Sequence, residues 1–183
     1  GFILVGVGMQ GLLAEENVLA VRGTFLHMVN HSLFKLVLFM VAGVIFMNLH
    51  KLDLNEIRGF GRKKPLLAAI YLMGALGIGG IPLWSGYISK TLLHESIVEY
   101  IAHLTAHGHS ALLFQAIEWI FLFSGGLTVA YMLKLFICIF IEKHPEKQEQ
   151  YDAKTNYMSV LSKLVLGISA VILPIMGILP GMT

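Results

Sequence analysis

Long apolar runs separated by short polar connectors dominate the pattern along this chain. The runs show no strict alternation of polar and apolar positions, so they favour helices over the strands of a β-barrel. Each complete run exceeds the roughly 20 residues that a helix needs to cross a bilayer. We therefore predict an all-α, polytopic transmembrane bundle of about five helical segments, which cover residues 1–13, 24–47, 65–100, 111–141 and 157–179.

The two ends of the chain carry different signals. The chain begins inside an apolar run, without an initiator methionine and without the basic region and cleavage site of a signal peptide. We favour a fragment that starts within a spanning helix over a short first helix. The acidic pair Glu15 and Glu16 should end the first segment, and Pro174 and Pro180 lie near the end of the last one.

The third segment contains a cluster of helix-breaking residues at membrane depth. Residues 77–86 read Gly-Ile-Gly-Gly-Ile-Pro-Leu-Trp-Ser-Gly. Proline lacks an amide hydrogen, and glycine tolerates the dihedral angles of an unwound turn. The predicted break is defined by Gly79, Gly80, Pro82 and Gly86. We expect two half-helices whose unpaired backbone groups are buried in protein or line a wet cavity, as in the ion sites of transporters.

Ionisable side chains recur inside the second segment. His27, His31 and Lys35 follow one another at intervals of four residues, so a helix places them on one face, about 6 Å apart per step. Ionisable groups are costly in a bilayer, and a row of them that can exchange protons indicates a proton path. A relay is favoured over a structural polar contact for His31, whereas both interpretations stay open for His27. A lysine held by a structural partner is the alternative for Lys35.

Three further ionisable residues stand out in the later segments. Lys90 follows Pro82 by about two turns, and we expect a functional group there instead of a side chain that only snorkels to the interface. Glu118 is more simply an interfacial carboxylate, with a basic partner or a place in an exit path as the alternative. Lys134 is either an internal relay or a snorkelling anchor.

Composition supports an integral membrane protein. Of the 183 residues, 56% are hydrophobic and 13% are charged, against about a quarter charged in soluble domains. The single cysteine, Cys138, excludes an internal disulfide and a cysteine-held cluster or zinc site within this chain. His103, His107 and His109 do not share one helical face, which favours a solvated outer loop over a metal site. We expect no cofactor in this chain and no nucleic-acid partner, with redox chemistry on partner subunits.

Lysine and arginine are unevenly distributed among the connectors. Connectors 50–64 and 142–156 are basic, connector 99–110 has neither residue type, and the first connector has only Arg22. Since the bias in lysine and arginine sets orientation, both basic connectors should be cytoplasmic. The other connectors and the C-terminus should then face outward.

An ordered set of motifs resembles a known family. The set reads His27-x-x-x-His31-x-x-Phe34-Lys35-x-x-Leu38-Phe39-x-x-x-Gly43, then Leu54-x-x-Ile57-x-Gly59-Phe60 and Pro65, then Gly80-Ile81-Pro82-x-x-Ser85-Gly86-Tyr87-x-Ser89-Lys90, and finally Leu127-Thr128-x-Ala130-Tyr131-x-x-Lys134-Leu135. It resembles the antiporter-like subunits of respiratory complex I, the membrane subunits of energy-converting hydrogenases and Mrp-type sodium/proton antiporters.

The resemblance implies a larger membrane subunit built from two inverted repeats, each with one broken helix. Residues 1–183 would form the C-terminal part of this proton-translocating domain. Lys90 would exchange protons with the outward exit, while Lys35 and the two histidines would contribute to the central hydrated axis. An isolated chain of this length would not pump.

Three functional hypotheses follow. The first is a non-redox, proton-translocating subunit of a complex I-like NADH/quinone oxidoreductase or an energy-converting hydrogenase, placed with other membrane subunits in the lipid bilayer of a prokaryotic cell (inner) membrane. The second is a subunit of a multisubunit Na+/H+ antiporter, in which sodium ions join protons as partners. The third is a membrane scaffold without transport, against which the lysines and the broken helix argue.

Overall fold

A computed structural model describes residues 1–10 and 18–179, and they fold as an all-α bundle. The helices are α1 (Phe2–Gln10), α2 (Val18–Leu49), α3 (Leu54–Ile57), α4 (Pro65–Gly79), α5 (Ser85–Ala106), α6 (Leu112–Phe136), α7 (Gln148–Ala153) and α8 (Val160–Ile178). Helix α6 continues into a π-helical turn, Ile137–Ile141. The described residues include no strand, and the predicted fold class is confirmed.

Three helices in this part of the chain are long and apolar enough to cross a membrane: α2, α6 with its π-helical turn, and α8. Helix α4 is apolar but has only 15 residues, and α5 has 22. These two helices divide the predicted third segment, which is therefore discontinuous as expected.

The largest differences from the predicted helix boundaries are at α2 and α5, and the predicted connectors also contain the short helices α3 and α7. Helix α2 begins at Val18, well before the predicted start near Thr24, because the exposed Arg22 is accommodated on its surface. Helix α5 continues to Ala106, so the prediction of an outer loop at His103 is wrong. The ring of His103 lies 4.3 Å from that of His107, one helical turn later.

Two predicted features at the chain ends have separate outcomes. Pro174 lies inside α8. The predicted helix end at Glu15 and Glu16 lies outside the described residues, and so does Pro180.

The core forms where α2 packs against α4, α5 and α8. Its fully buried side chains come from three of these helices and include Phe34, Val37, Val41, Leu67, Leu166 and Leu173. Lipid is as apolar as these side chains, so close packing stabilises the contacts more than exclusion of water does. The core therefore holds α2 in a fixed position beside both half-helices.

The two basic connectors lie at the same end of the bundle and bind each other. Backbone amides of Gly59 and Gly61 in the first connector donate to carbonyl oxygens of Cys138 and Ile139, in the π-helical turn that leads into the second, at 2.9 Å in both cases. Three ion pairs add to this contact: Glu56 with Lys147, Arg58 with Glu142, and Lys63 with Asp152. The two connectors thus lie at one end of the bundle. This arrangement is consistent with the prediction that both face the same side of the membrane.

Lys64 is buried within this connector assembly, with 2% of its surface exposed. Its Nζ donates to the carbonyl oxygens of Phe60, at 2.7 Å, and Tyr151, at 2.9 Å. The same Nζ lies 4.1 Å from the centroid of the Phe60 ring. Burial lowers the pKa of Lys64 to about 8, because removal of the ammonium from water disfavours its charged form.

Candidate functional site at the broken helix

The break between α4 and α5 follows from its local sequence. Helix α4 ends at Gly79, and Gly80 then adopts a left-handed conformation with φ of 75°, which glycine reaches without strain. Pro82 lies in the break, where no helical amide is required of it. Leu83 also has a positive φ, 77°, a strained conformation for a residue with a side chain. The chain thus leaves the helical path for five residues before α5 begins at Ser85.

Small residues let the two half-helices meet each other and α2. A Cβ atom on Gly86, in the first turn of α5, would overlap the carbonyl oxygen of Gly77 in α4. A Cβ atom on Gly77 would lie 2.8 Å from the ring of Phe34 in α2. The break is therefore buried in protein on this side, which is the setting that unwound backbone at membrane depth requires.

Lys90 closes the break from α5. Its Nζ donates to the carbonyl oxygens of Ile78, at 2.8 Å, and Gly79, at 3.1 Å, which end α4. Carbonyls at a helix C-terminus lack intrahelical donors and carry partial negative charge, so they stabilise an ammonium group. Its Nζ also lies 5.1 Å from the centroid of the Phe2 ring. The ammonium group is therefore bound at the break and does not extend to an interface.

His27 joins the polar row of α2 to α5. It is 3% exposed, and its Nδ1 lies 3.0 Å from Oγ of Ser89, the neighbour of Lys90. The Ser89 hydroxyl donates to the carbonyl oxygen of Gly86 at 3.2 Å, and a carbonyl can only accept. His27 Nδ1 must then be the donor to Ser89, which leaves Nε2 of a neutral imidazole free to accept a proton.

His31 and Lys35 continue the row along α2. The ring centroids of His27 and His31 are 5.8 Å apart. Lys35 is half-buried, with its Nζ 5.6 Å from the centroid of the Phe39 ring.

Lys35 lines its own open cavity of about 310 Å³, whose other walls come from α2, α4, α6 and the connector that contains α3. Leu54 and Ile57 of α3 close this cavity at the end of the basic connectors. The structure therefore brings His27 and His31 close to Lys90, and it places Lys35 on the connector side of them.

Asn30 is a buried polar residue that sequence reasoning missed. It is fully buried, and its Nδ2 donates to the carbonyl oxygen of Ser85 at 2.9 Å. The Asn30 Oδ1 and the Ser85 Oγ are buried without a protein partner. Buried polar atoms of this kind commonly bind ordered water. The available signal was a polar amide directly before His31 in an apolar run.

A second polar pair joins α5 to α6 about one helical turn after Lys90. Nε2 of His94 in α5 is 3.0 Å from Oε1 of Glu118 in α6. A cavity of about 440 Å³ extends from Gly80 and Lys90 to His94. Glu118 thus has a basic partner. Sequence reasoning missed His94. Its spacing of four residues from Lys90 is the same as the spacing between the ionisable residues of α2, and this was the available signal.

Lys134 lies apart from these groups. It is exposed on α6 and lines a groove of about 610 Å³ together with Arg58 and Glu142 at the connector end. No three histidine, cysteine, aspartate or glutamate side chains within the described ranges lie close enough together to hold a metal ion.

Comparisons with known proteins identify a family and several relatives of this chain. Residues 1–107 match the protein family described as "NADH:quinone oxidoreductase/Mrp antiporter, TM". Hydrogenase-4 component B of Escherichia coli (strain K12) is 35% identical over 146 residues, which cover 74% of this chain and 21% of that protein. NAD(P)H-quinone oxidoreductase chain 4 of Prochlorococcus marinus (strain MIT 9303) is 26% identical over 178 residues, 97% of this chain and 29% of that protein.

A third relative is named as an antiporter subunit. Na(+)/H(+) antiporter subunit A1 of Staphylococcus aureus (strain JH9) is 27% identical over 184 residues, 97% of this chain and 22% of that protein. The chain therefore spans less than a third of the length of each of these curated relatives.

Proposed function

We propose a proton-carrying role for this chain, which belongs to the NADH:quinone oxidoreductase/Mrp antiporter membrane family. In this role protons move along His27, His31 and Lys35 to Lys90, within a complex I-like or hydrogenase-type complex. The chain itself carries out no redox step. The relatives named as a hydrogenase-4 component and a quinone oxidoreductase chain support this choice of complex.

One contact supports the proposal most strongly: the hydrogen bond between His27 and Ser89. It sets an ionisable group of the α2 row beside the half-helix that carries Lys90. Two cavities add to it, since Lys35 lines one at the connector end and Lys90 lines another between α5 and α6. A proton would enter at Lys35, pass through the imidazoles and reach Lys90.

Electrostatic repulsion supplies the coupling in this proposal. Like charges destabilise each other in a medium of low dielectric constant, so a proton that arrives at one group of the row favours release of a proton from the next. Electron transfer in partner subunits would bias these protonation states.

The test uses the complete protein in its complex, with Lys35→Ala and Lys90→Ala introduced singly and together. We expect each variant to lose proton transport while the complex still assembles. Full transport by the double variant would contradict the proposal and support the scaffold alternative.

A Na+/H+ antiporter subunit is the second candidate, and the Staphylococcus aureus relative favours it. The two candidates differ in what drives transport. Proton movement that requires electron transfer supports the first, and proton movement driven by a sodium gradient alone supports the second. The bacterial origin of the relatives supports a prokaryotic cell membrane as the location, with other membrane subunits as partners.

A further inference from the structure

We infer that His94 and Glu118 form the outlet through which Lys90 releases its proton, an inference that rests on the role proposed for Lys90. The pair joins α5 to α6 about one helical turn beyond Lys90, towards the C-terminal end of α5. Nε2 of His94 and Oε1 of Glu118 are 3.0 Å apart, which is hydrogen-bond distance.

The position of His94 follows from helix geometry. It lies four residues after Lys90 on α5, so the two side chains project from one face, about 6 Å apart along the axis. Both line the cavity of about 440 Å³ that opens beside the end of α4. A cavity of this size exceeds the roughly 30 Å³ that one water molecule occupies. Water in it can connect the two groups.

Small residues on α6 keep this cavity open. Gly125 and Gly126 line it, and a Cβ atom on either would meet no atom within 4 Å. Phe121 closes the cavity beside the pair, and its ring is stacked on that of His94 at 6.0 Å between centroids. Tyr87 and Thr91, which carry hydroxyl groups, also line the cavity, so its wall on α5 is polar.

The charged groups at the cavity fit an outlet. Lys90, His94 and Tyr87 are the ionisable groups of α5 that line it, and Phe2 from α1 contributes only an aromatic ring. Glu118, the acid on α6, is joined to the cavity through His94. The side chains of His94 and Glu118 are 31% and 26% exposed, so the pair is only partly removed from solvent. A carboxylate at the membrane boundary can release a proton outward, and its imidazole partner lies within hydrogen-bond distance to supply that proton.

The proton transfer balances without a further reactant. The Lys90 ammonium gives one proton to cavity water, and that water gives one proton to Nδ1 of His94. The proton on Nε2 of His94 then passes to Oε1 of Glu118, and the carboxylic acid releases it to the outer aqueous phase. Only N–H and O–H bonds change, and the imidazole returns to its first tautomer before the next proton arrives.

The test uses the complete complex with Glu118→Gln and His94→Gln. Glutamine at position 118 retains the size and a hydrogen-bond acceptor but cannot carry a proton at neutral pH. We expect proton transport to fall about tenfold or more at unchanged assembly, since a positioned proton-transfer group contributes about 10²–10⁴ to a rate. Glu99→Gln and His109→Gln, both on exposed positions near the outer end of α5, are the matched controls and should transport normally.

Two further measurements separate an outlet from a structural contact. A small weak acid such as azide carries protons itself, so it should restore transport in Glu118→Gln. Normal transport in both variants, or a loss that azide does not relieve, would overturn the outlet. Lys90→Gln is measured in parallel. If Lys90→Gln abolishes transport while Glu118→Gln has no effect, only the outlet is wrong. If Lys90→Gln also transports normally, the proposed function is wrong.

Discussion

The imidazole of His27 donates a hydrogen bond to the hydroxyl of Ser89 across 3.0 Å. This contact joins α2, which carries the row of ionisable groups, to α5. The next residue of α5 is Lys90, which binds the carbonyl groups at the break. Ser89 in turn donates to the carbonyl oxygen of Gly86, so the orientation of the imidazole is coupled to the first turn of α5. The row and the broken helix thus form one polar assembly inside an apolar bundle.

Removal of the Ser89 hydroxyl tests this connection. Ser89→Ala leaves the buried His27 Nδ1 without its acceptor and frees the ring to turn. An interhelical hydrogen bond in a membrane contributes about 0.6 kcal/mol on average, so the free energy of unfolding should fall only slightly. Proton transport by the complete protein should fall several-fold, because the orientation of the imidazole is lost.

Ser32→Ala is the matched control for this change. Ser32 also lies on α2, but it is exposed and its hydroxyl bonds to the carbonyl oxygen of Met28 in its own helix. Equal transport by the Ser32 and Ser89 variants would show that the His27 contact has no part in proton movement.

Gly86 is the position where the half-helices tolerate no side chain. Gly86→Ala should force α5 away from α4, because the added Cβ would overlap the carbonyl oxygen of Gly77. Overpacking of this kind costs about 1–3 kcal/mol. Thermal unfolding of the purified protein measures it, with Gly125→Ala as a control in open space. A melting temperature that is the same in both variants contradicts the close approach.

The buried ammonium of Lys64 predicts a pH dependence of stability. Burial lowers its pKa to about 8, from 10.5 in a free lysine side chain. Below about pH 8 both the folded and the unfolded state bind this proton, so the cost of burying the charge is fully present. Between the two pKa values the unfolded state binds more protons, so stability rises with pH across this window.

Unfolding measured across that pH window tests the prediction. The Lys64 contribution to the free energy of unfolding should increase as pH rises from about 8 towards about 10.5, and Lys64→Met should lack this increase. Lys143→Met, an exposed lysine of the neighbouring connector, should behave like the unmodified protein. A pH dependence that is unchanged in Lys64→Met would show that another group is responsible.

The break was predictable from sequence because its causes are local. A glycine at position 80 permits a positive φ, and Pro82 prevents a continuous ladder of hydrogen bonds. The polar row was predictable for a similar reason, since its spacing of four residues alone places its members on one face. Neither feature requires knowledge of helix packing for its prediction.

Other features depend on packing between distant parts of the chain. The partner of Glu118 is His94, 24 residues earlier, and only the packing of α5 against α6 brings them together. The buried Lys64 resembles its exposed neighbours in sequence, because the carbonyl oxygen of Tyr151 that binds it comes from the other basic connector. Asn30 was missed for the same reason, since its partner Ser85 lies on the opposite helix.

The central claim is that Lys90 carries translocated protons, and the number of protons moved per electron tests it most directly. The measurement uses the complete complex in sealed vesicles, with Lys90→Gln compared with Lys143→Gln, which changes an exposed connector lysine. We expect the Lys90 variant to assemble, to transfer electrons and to move fewer protons per electron, while the Lys143 variant retains the normal ratio. A normal ratio in a well-assembled Lys90→Gln complex would contradict the account.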